Sequence, residues 1–330
     1  MPATIVLKQS EIKKMAKMDE IIESVETGYL EHARRRVQMP AKKYLYYRKH
    51  NGDLRIMPCY LRNMDQSGVK NVNVHPDNPQ NHGLPTVMGL IELVEPKTGF
   101  PVALMDGTWI TNMRTGAAGG IATKYLARDN SETIGLVGAG KQAETQIMAL
   151  NEVMDIKNAK VFCRTCASRT RFAKMISEKF GFPVKAVDSA KEAVTNVDVV
   201  VTSTPVKVPV IKSKWIREGT HINAMGADAP EKQELETSLT LRSKVVIDCW
   251  EQASHSGEIN IPVSTGQIKR EDIQARIGDV IAGKSPGRQS DEEITIFDST
   301  GLAVQDITTA WMIYEKALKE GKGQKINFLD

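Results

Sequence analysis

Apolar residues recur at helical spacing over residues 19–33, where Ile21, Ile22, Val25, Tyr29 and Leu30 share one side, and this predicts an amphipathic helix. Short strand-like runs follow at 43–47, 54–57 and 69–74, broken by Asn51-Gly52 and by a polar loop over 75–83. Asn-Gly between two such runs predicts a hairpin. The runs 88–94 and 102–105, joined by a turn over 95–99, predict a second.

From Thr133 the texture changes to alternating strand and helix. Strands are expected at 133–137, 160–163, 184–187, 197–202, 220–224 and 244–248, with helices from after Ala143 to about 154 and over 168–180. Short strands separated by helices are the pattern of a parallel, doubly wound sheet, so the fold class is α/β. The chain ends in a long helix whose Val304, Ile307, Trp311, Tyr314 and Leu318 are spaced to share one face.

A length of 330 residues suggests two domains, and 41% apolar residues suffice for a large core. The net charge is +4, and the only basic run, Arg34-Arg35-Arg36, reads as a solvated helix end, so no nucleic-acid partner is expected. Residues 1–17 lack a signal-peptide core, and no apolar run is long enough to cross a bilayer. The four cysteines are expected to be reduced thiols in a cytoplasmic protein. Cys163 and Cys166 form a C-x-x-C, but Cys59 and Cys249 do not make the second close pair that a zinc site needs, and no metal is expected.

Gly138-Ala139-Gly140-Lys141-Gln142-Ala143 stands between a predicted strand and a predicted helix. That context turns a weak Gly-x-Gly-x-x-Ala signal into a dinucleotide-binding one. The first glycine permits the tight turn, the second lets a pyrophosphate approach the backbone, and the helix start supplies N–H donors. An acid at the end of the second strand would serve the ribose hydroxyls of NAD. Here the sequence is Cys163-Arg164-Thr165, with Arg169 and Arg171 beyond, which favours NADP over NAD. In the first third, Arg55, Lys70 and Arg114 are cations in otherwise small or apolar surroundings, a placement suited to holding a carboxylate.

Several contiguous motifs resemble the ornithine cyclodeaminase/mu-crystallin family: residues 68–76 (GVKNVNVHP), 84–86 (LPT), 114–118 (RTGAA), 223–230 (NAMGADAP) and 297–301 (FDSTG). The resemblance implies a homodimer. It also implies a Rossmann domain, residues 129–302, inserted in a dimerisation and substrate domain built from 1–128 plus 303–330. Arg114 and Lys70 would bind the substrate carboxylate and carbonyl region, with Lys42 a lesser candidate, and Asp228 would be the acid–base group at the reacting nitrogen. Thr86, Arg114, Thr115, the 138–142 turn, Arg164, Thr165, Thr204, Met225, Lys232 and Ser299 would line the dinucleotide. NAD-using members carry Asp where this chain has Cys163.

Cyclodeaminases of the family carry a glutamate suited to a diamine where this chain has Arg55, which would repel a side-chain ammonium. The match is stronger to the family's archaeal-type alanine dehydrogenases, although Glu231 stands where the family commonly has Gly. The expectation is an NAD(P)-dependent oxidoreductase interconverting alanine, or a similarly small L-amino acid, with its 2-oxo acid and ammonia. Ornithine cyclodeaminase, cyclic-imine reductase and an NADPH-holding binding protein of mu-crystallin type remain alternatives.

Overall fold

The computed structural model describes residues 2–329. The chain divides into two compact units, residues 1–114 with 302–330, and residues 115–301. No helix among the described residues is long and apolar enough to cross a membrane.

In the first unit, strands β1 (Thr4–Leu7), β2 (Val37–Gln38), β3 (Lys43–Tyr47), β4 (Gly52–Leu61), β5 (Gln66–Val74), β6 (Val87–Val94) and β7 (Pro101–Asp106) join the C-terminal β16 (Gln324–Ile326). The sheet order is β16-β1-β7-β6-β5-β4-β2, with β3 also paired to β4. Both predicted hairpins form. Tyr47 stands opposite Gly52, and Asn51 takes the left-handed conformation that favours Asn or Gly. Alternation in β4 and β5 buries Arg55, Met57, Cys59 and Leu61 with Gly68, Lys70 and Val72. The helices α1 (Gln9–Met15), α2 (Met18–Ala33) and α3 (Asn78–Asn81) belong to this unit, as does the start of α4 (Gly107–Leu126).

The second unit is a parallel sheet of β8 (Thr133–Val137), β9 (Asn158–Phe162), β10 (Val184–Ala186), β11 (Val199–Thr202), β12 (His221–Ala224), β13 (Lys244–Ile247), β14 (Ala275–Arg276) and β15 (Thr295–Asp298). Its order is β10-β9-β8-β11-β12-β15-β13-β14. Helices α5 (Lys141–Val153), α6 (Cys166–Phe180), α7 (Ala190–Val194), α8 (Thr237–Leu241), α9 (Trp250–Ser256), α10 (Asn260–Ser264) and α11 (Ile277–Ile281) connect the strands. The resulting core includes Val137, Val200, Ile222, Ile247 and Ile296. This is the doubly wound α/β architecture read from the sequence.

Three expectations need correction. The strands β14 and β15 were not anticipated, and β15 inserts between β12 and β13 although its sequence lies after both. The division falls at residues 114/115 rather than 128/129, because the later part of α4 packs on α5: Gln146 Nε2 donates to the Thr115 carbonyl at 2.9 Å. The C-terminal helix α12 (Ala303–Glu320) buries Ala303, Val304, Ile307, Ala310, Ile313 and Ala317. Its larger Trp311 and Tyr314 are only half-buried, and Leu318 is exposed, since the small alanines make the closer approach to the sheet and α2.

Candidate active site

Lys70 lies in the middle of the first unit's sheet, opposite Met57 on β4 and Ile91 on β6, and is wholly buried. An ammonium there requires a counter-charge. Asp306, in the first turn of α12 and equally buried, supplies it: Lys70 Nζ is 2.6 Å from Oδ2. The other oxygen accepts from Arg114 Nε at 2.9 Å. Arg114 Nη1 donates to Gln305 Oε1 at 2.8 Å, and Gln305 Nε2 donates to the buried Tyr29 hydroxyl. Burial pushes Lys70 down to about 7, assisted by Arg114 and Lys42 and opposed by Asp306.

Arg55 is buried on the same face, one alternation from Met57. Its Nε and Nη2 donate to the Asp53 carboxylate at 2.9 and 3.2 Å, and its guanidinium stands 5.5 Å from the centre of the Tyr44 ring. Asp53 and Tyr44 thus fix the direction of the guanidinium. The first unit therefore sets Lys70 and Arg114 on one carboxylate, with Lys42 near enough to act on Lys70 and Arg55 paired beside them, and cations exceed anions. Thr86, also in this unit, is half-buried, and its carbonyl accepts from His75 N.

In the second unit, β8 runs into Gly138, whose φ of 116° is a conformation that L side chains rarely adopt, and a Cβ there would lie 2.5 Å from Ser203 Oγ. Gly140 begins α5 with no side-chain cap, and the space beside it is open. The first amides of α5 therefore face that space as donors. A cavity of about 230 Å³ adjoins the turn, lined by Ala139, Gly140, Lys141, Ser168, Arg171 and Met175 among others. The buried Ser299 hydroxyl has no hydrogen-bond partner among the described residues. The bare helix start and this orphaned hydroxyl fit a dinucleotide.

Lys141 pairs with Glu144, and Gln142 is half-buried. Cys163 Sγ donates to the Thr165 carbonyl, while Arg164 and Thr165 are exposed. Arg169 does not serve as a free cation: it is buried, donates to the Cys163 carbonyl, pairs with Asp188 and lies over the Phe162 ring. Asp228 is half-buried and pairs with Lys232, four residues on in the loop after β12.

Sequence reasoning missed Asp306 and Glu234. Glu234 is fully buried and accepts from Thr204 N and Oγ1 at 2.6 Å each, from Thr202 Oγ1 at 2.7 Å and from Gly226 N at 2.8 Å. It thereby ties the ends of β11 and β12 together, fixing Thr204 and the approach to buried Met225. In sequence it is one acid in the polar run Glu231-Lys232-Gln233-Glu234, which gives no sign of its burial.

Known proteins resemble the chain along nearly its whole length. Alanine dehydrogenase of Archaeoglobus fulgidus is 50% identical over 325 residues, covering 98% of each chain. A solved archaeal alanine dehydrogenase dimer with bound NAD aligns with a TM-score of 0.95 at 49% identity, over 99% of this chain and 100% of that one. The Δ1-pyrroline-2-carboxylate reductase of Thermococcus litoralis, solved with NADH and L-proline, aligns with a TM-score of 0.95 at 42% identity, over 98% and 100%. The model of the ornithine cyclodeaminase/mu-crystallin family matches residues 3–321, and this chain belongs to that family.

Proposed function

We propose that this chain is an NAD(P)-dependent dehydrogenase that interconverts L-alanine, or a similarly small L-amino acid, with its 2-oxo acid and ammonia. The observation that carries this reading is the excess of buried cations around Asp306, a receptor for one small carboxylate, in a chain that also carries a dinucleotide turn. Identity of 50% to an alanine dehydrogenase supports it.

In the reductive direction Arg55, Arg114 and Lys70 hold the carboxylate and polarise the 2-carbonyl. Ammonia adds at C2. Lys70, which titrates near neutrality, gives its proton to the departing hydroxyl, so that water leaves and an iminium remains. Asp228 takes and returns the proton on nitrogen. The bound nicotinamide supplies the hydride that C2 receives. Gly138–Gly140 and the start of α5 hold the pyrophosphate, and Thr204, Met225 and Ser299 line the dinucleotide.

NADP is the preferred cofactor in this reading, because Cys163 stands where an acid would hold a ribose hydroxyl and Arg164 and Arg171 remain exposed to meet a 2′-phosphate. The solved relatives hold NAD and NADH, and Arg169 is engaged elsewhere, so two arginines carry this preference. The functional unit is a cytoplasmic homodimer, as the archaeal relative is a dimer. A cyclic-imine reductase is the second reading, favoured by the likeness to the Thermococcus enzyme.

Reduced-cofactor fluorescence tests these readings, with pyruvate and other small 2-oxo acids plus ammonium, Δ1-pyrroline-2-carboxylate, and each cofactor in turn. Loss of signal with pyruvate and ammonium is expected, faster with NADPH. Loss only with the cyclic imine selects the second reading. Tight cofactor binding without any turnover overturns both and points to a binding protein.

A further inference from the structure

The cations that would receive the substrate are held from behind by one group, and nothing about a first-turn helical acid assigns it a part in chemistry. Asp306 has one oxygen on Lys70 Nζ at 2.6 Å and the other on Arg114 Nε at 2.9 Å, and it is fully buried. A single carboxylate shared by two cations neutralises neither. It also fixes their separation, since both contacts come from one rigid group. Gln305, its neighbour on α12, holds Arg114 through a second donor and is itself anchored by Tyr29 and by the Leu302 amide. The support is thus preorganised by the start of α12.

We propose that Asp306 is a positioning residue for acid–base chemistry, fixing Lys70 and Arg114 in register and setting the pH at which Lys70 carries its proton. This rests on the dehydrogenase reading above.

Every element packed about Lys70 contributes to its balance. From α4 comes Arg114, and from the segment before β3 comes Lys42, both disfavouring a further charge. β4 brings Arg55, already paired with Asp53, and Cys59, a thiol that burial and Asp306 push up to about 12 and so keep neutral. β6 brings Ile91, which is apolar. Asp306 is the only one of these groups that favours the ammonium. Without it, burial and two neighbouring cations act unopposed, and the lysine loses its proton at lower pH.

The test compares wild type, Asp306→Asn and Asp306→Glu. If Lys70 must be protonated to act, kcat/KM in the reductive direction falls on the alkaline side. In D306N that limb should move to lower pH by about one unit or more, so the loss at pH 8 exceeds that at pH 6 by about five- to tenfold. D306E, which keeps the charge, should return the limb toward its original position. A purely structural role would lower activity by the same factor at every pH, and an unmoved limb in D306N overturns the proposal.

Should D306N not fold, the wild-type protein decides, by nuclear magnetic resonance of ¹⁵N-lysine and ¹³C-aspartate labels. Lys70 Nζ should titrate near neutrality, and the Asp306 carboxyl carbon should respond at the same midpoint. A Lys70 signal that titrates with the solvent-exposed lysines, or an Asp306 signal indifferent to it, overturns the proposal. This readout needs no turnover. Failure of the dehydrogenase reading, seen as wild type inactive with every oxo acid, is therefore distinguishable from failure of the role given to Asp306.

Discussion

Gly116 lies so close to Thr145 that a Cβ on the glycine would sit 2.3 Å from the Thr145 carbonyl oxygen. The two residues belong to α4 and α5, and Gly119 and Gly120 continue the close approach against Gln146 and Ala149. The Arg-Thr-Gly-Ala-Ala motif is thus a packing motif beyond its arginine. Gly116→Ala should destabilise the fold by about 1–3 kcal/mol, because the obstacle is backbone that cannot rotate away. Chemical unfolding of the variant beside wild type measures this, and an unchanged midpoint would refute the close packing.

The two glycines of the nucleotide turn should behave in opposite ways. Gly138 combines positive φ with a crowded Cβ position, so Gly138→Ala should lower the unfolding midpoint. At Gly140 an added methyl meets nothing in the protein and would project into the space left for the pyrophosphate. Gly140→Ala should leave stability unchanged and weaken dinucleotide binding at least ~10-fold, equivalent to ~1.4 kcal/mol. Calorimetric titration with NADP and NAD reads the second effect, and full affinity in that variant would remove the turn from the cofactor site.

How much of this was legible in the sequence follows the range of the interactions. The nucleotide turn and both hairpins are local; Gly138 and Asn51 adopt backbone conformations that few residues take, and Gly140 leaves open space at the helix start. The parallel strands β8 to β13 were readable from short apolar runs, but β15 was not, because its place between β12 and β13 depends on pairing with distant chain. Arg169 reads in sequence as a phosphate ligand, but Asp188, from beyond β10, pairs with it. Asp306 shows the same limit. In sequence it is an acid in the first turn of a helix, where acids are ordinary, and only the folded sheet sets Lys70 against it.

Glu231, where the family resemblance implies glycine, has a φ of +67°, a conformation that suits glycine. The side chain turns to Lys207 in an exposed pair, so its charge is directed away from the lysine that holds Asp228. Glu231→Gly relieves a left-handed conformation that suits glycine, partly offset by the extra freedom glycine gains when unfolded. The melting temperature should rise by ~1–3 °C with turnover within about twofold of wild type. A fall in stability would show that the Lys207 pair outweighs the backbone.

Asp228 is expected to act on substrate nitrogen without holding the dinucleotide. Asp228→Asn keeps the shape and a hydrogen-bond acceptor for Lys232 but cannot accept a proton. Turnover should drop by about 10²–10⁴-fold, the usual share of general acid–base catalysis, with cofactor affinity nearly intact. Substantial residual turnover would remove Asp228 from the chemistry. Loss of cofactor binding would instead make the Asp228–Lys232 pair part of the dinucleotide pocket.

Buried titrating groups also set the pH dependence of stability. Asp298 is fully buried at the end of β15, with Oδ2 accepting from Ile259 N at 3.2 Å, and burial pushes its carboxyl up to about 8. Between about 4 and 8 the unfolded chain has released this proton while the folded protein retains it. The folded state then binds more protons, so stability falls as pH rises across that window. Glu258 beside it is pushed well up by burial and by Glu234, with the same sign. His221 acts in the opposite direction: burial lowers it to about 3, so folding loses stability as pH falls from about 6.5 toward 3. Asp298→Asn stays neutral at every pH and removes one of these slopes. Its stability relative to wild type should therefore grow from pH 5 to pH 8, by as much as ~1.4 kcal/mol per pH unit and a few kcal/mol in all. Guanidinium unfolding of both proteins at pH 5, 6, 7 and 8 provides the comparison. Parallel curves across that range would mean that Asp298 is already ionised in the folded protein and that the amides around it carry the charge.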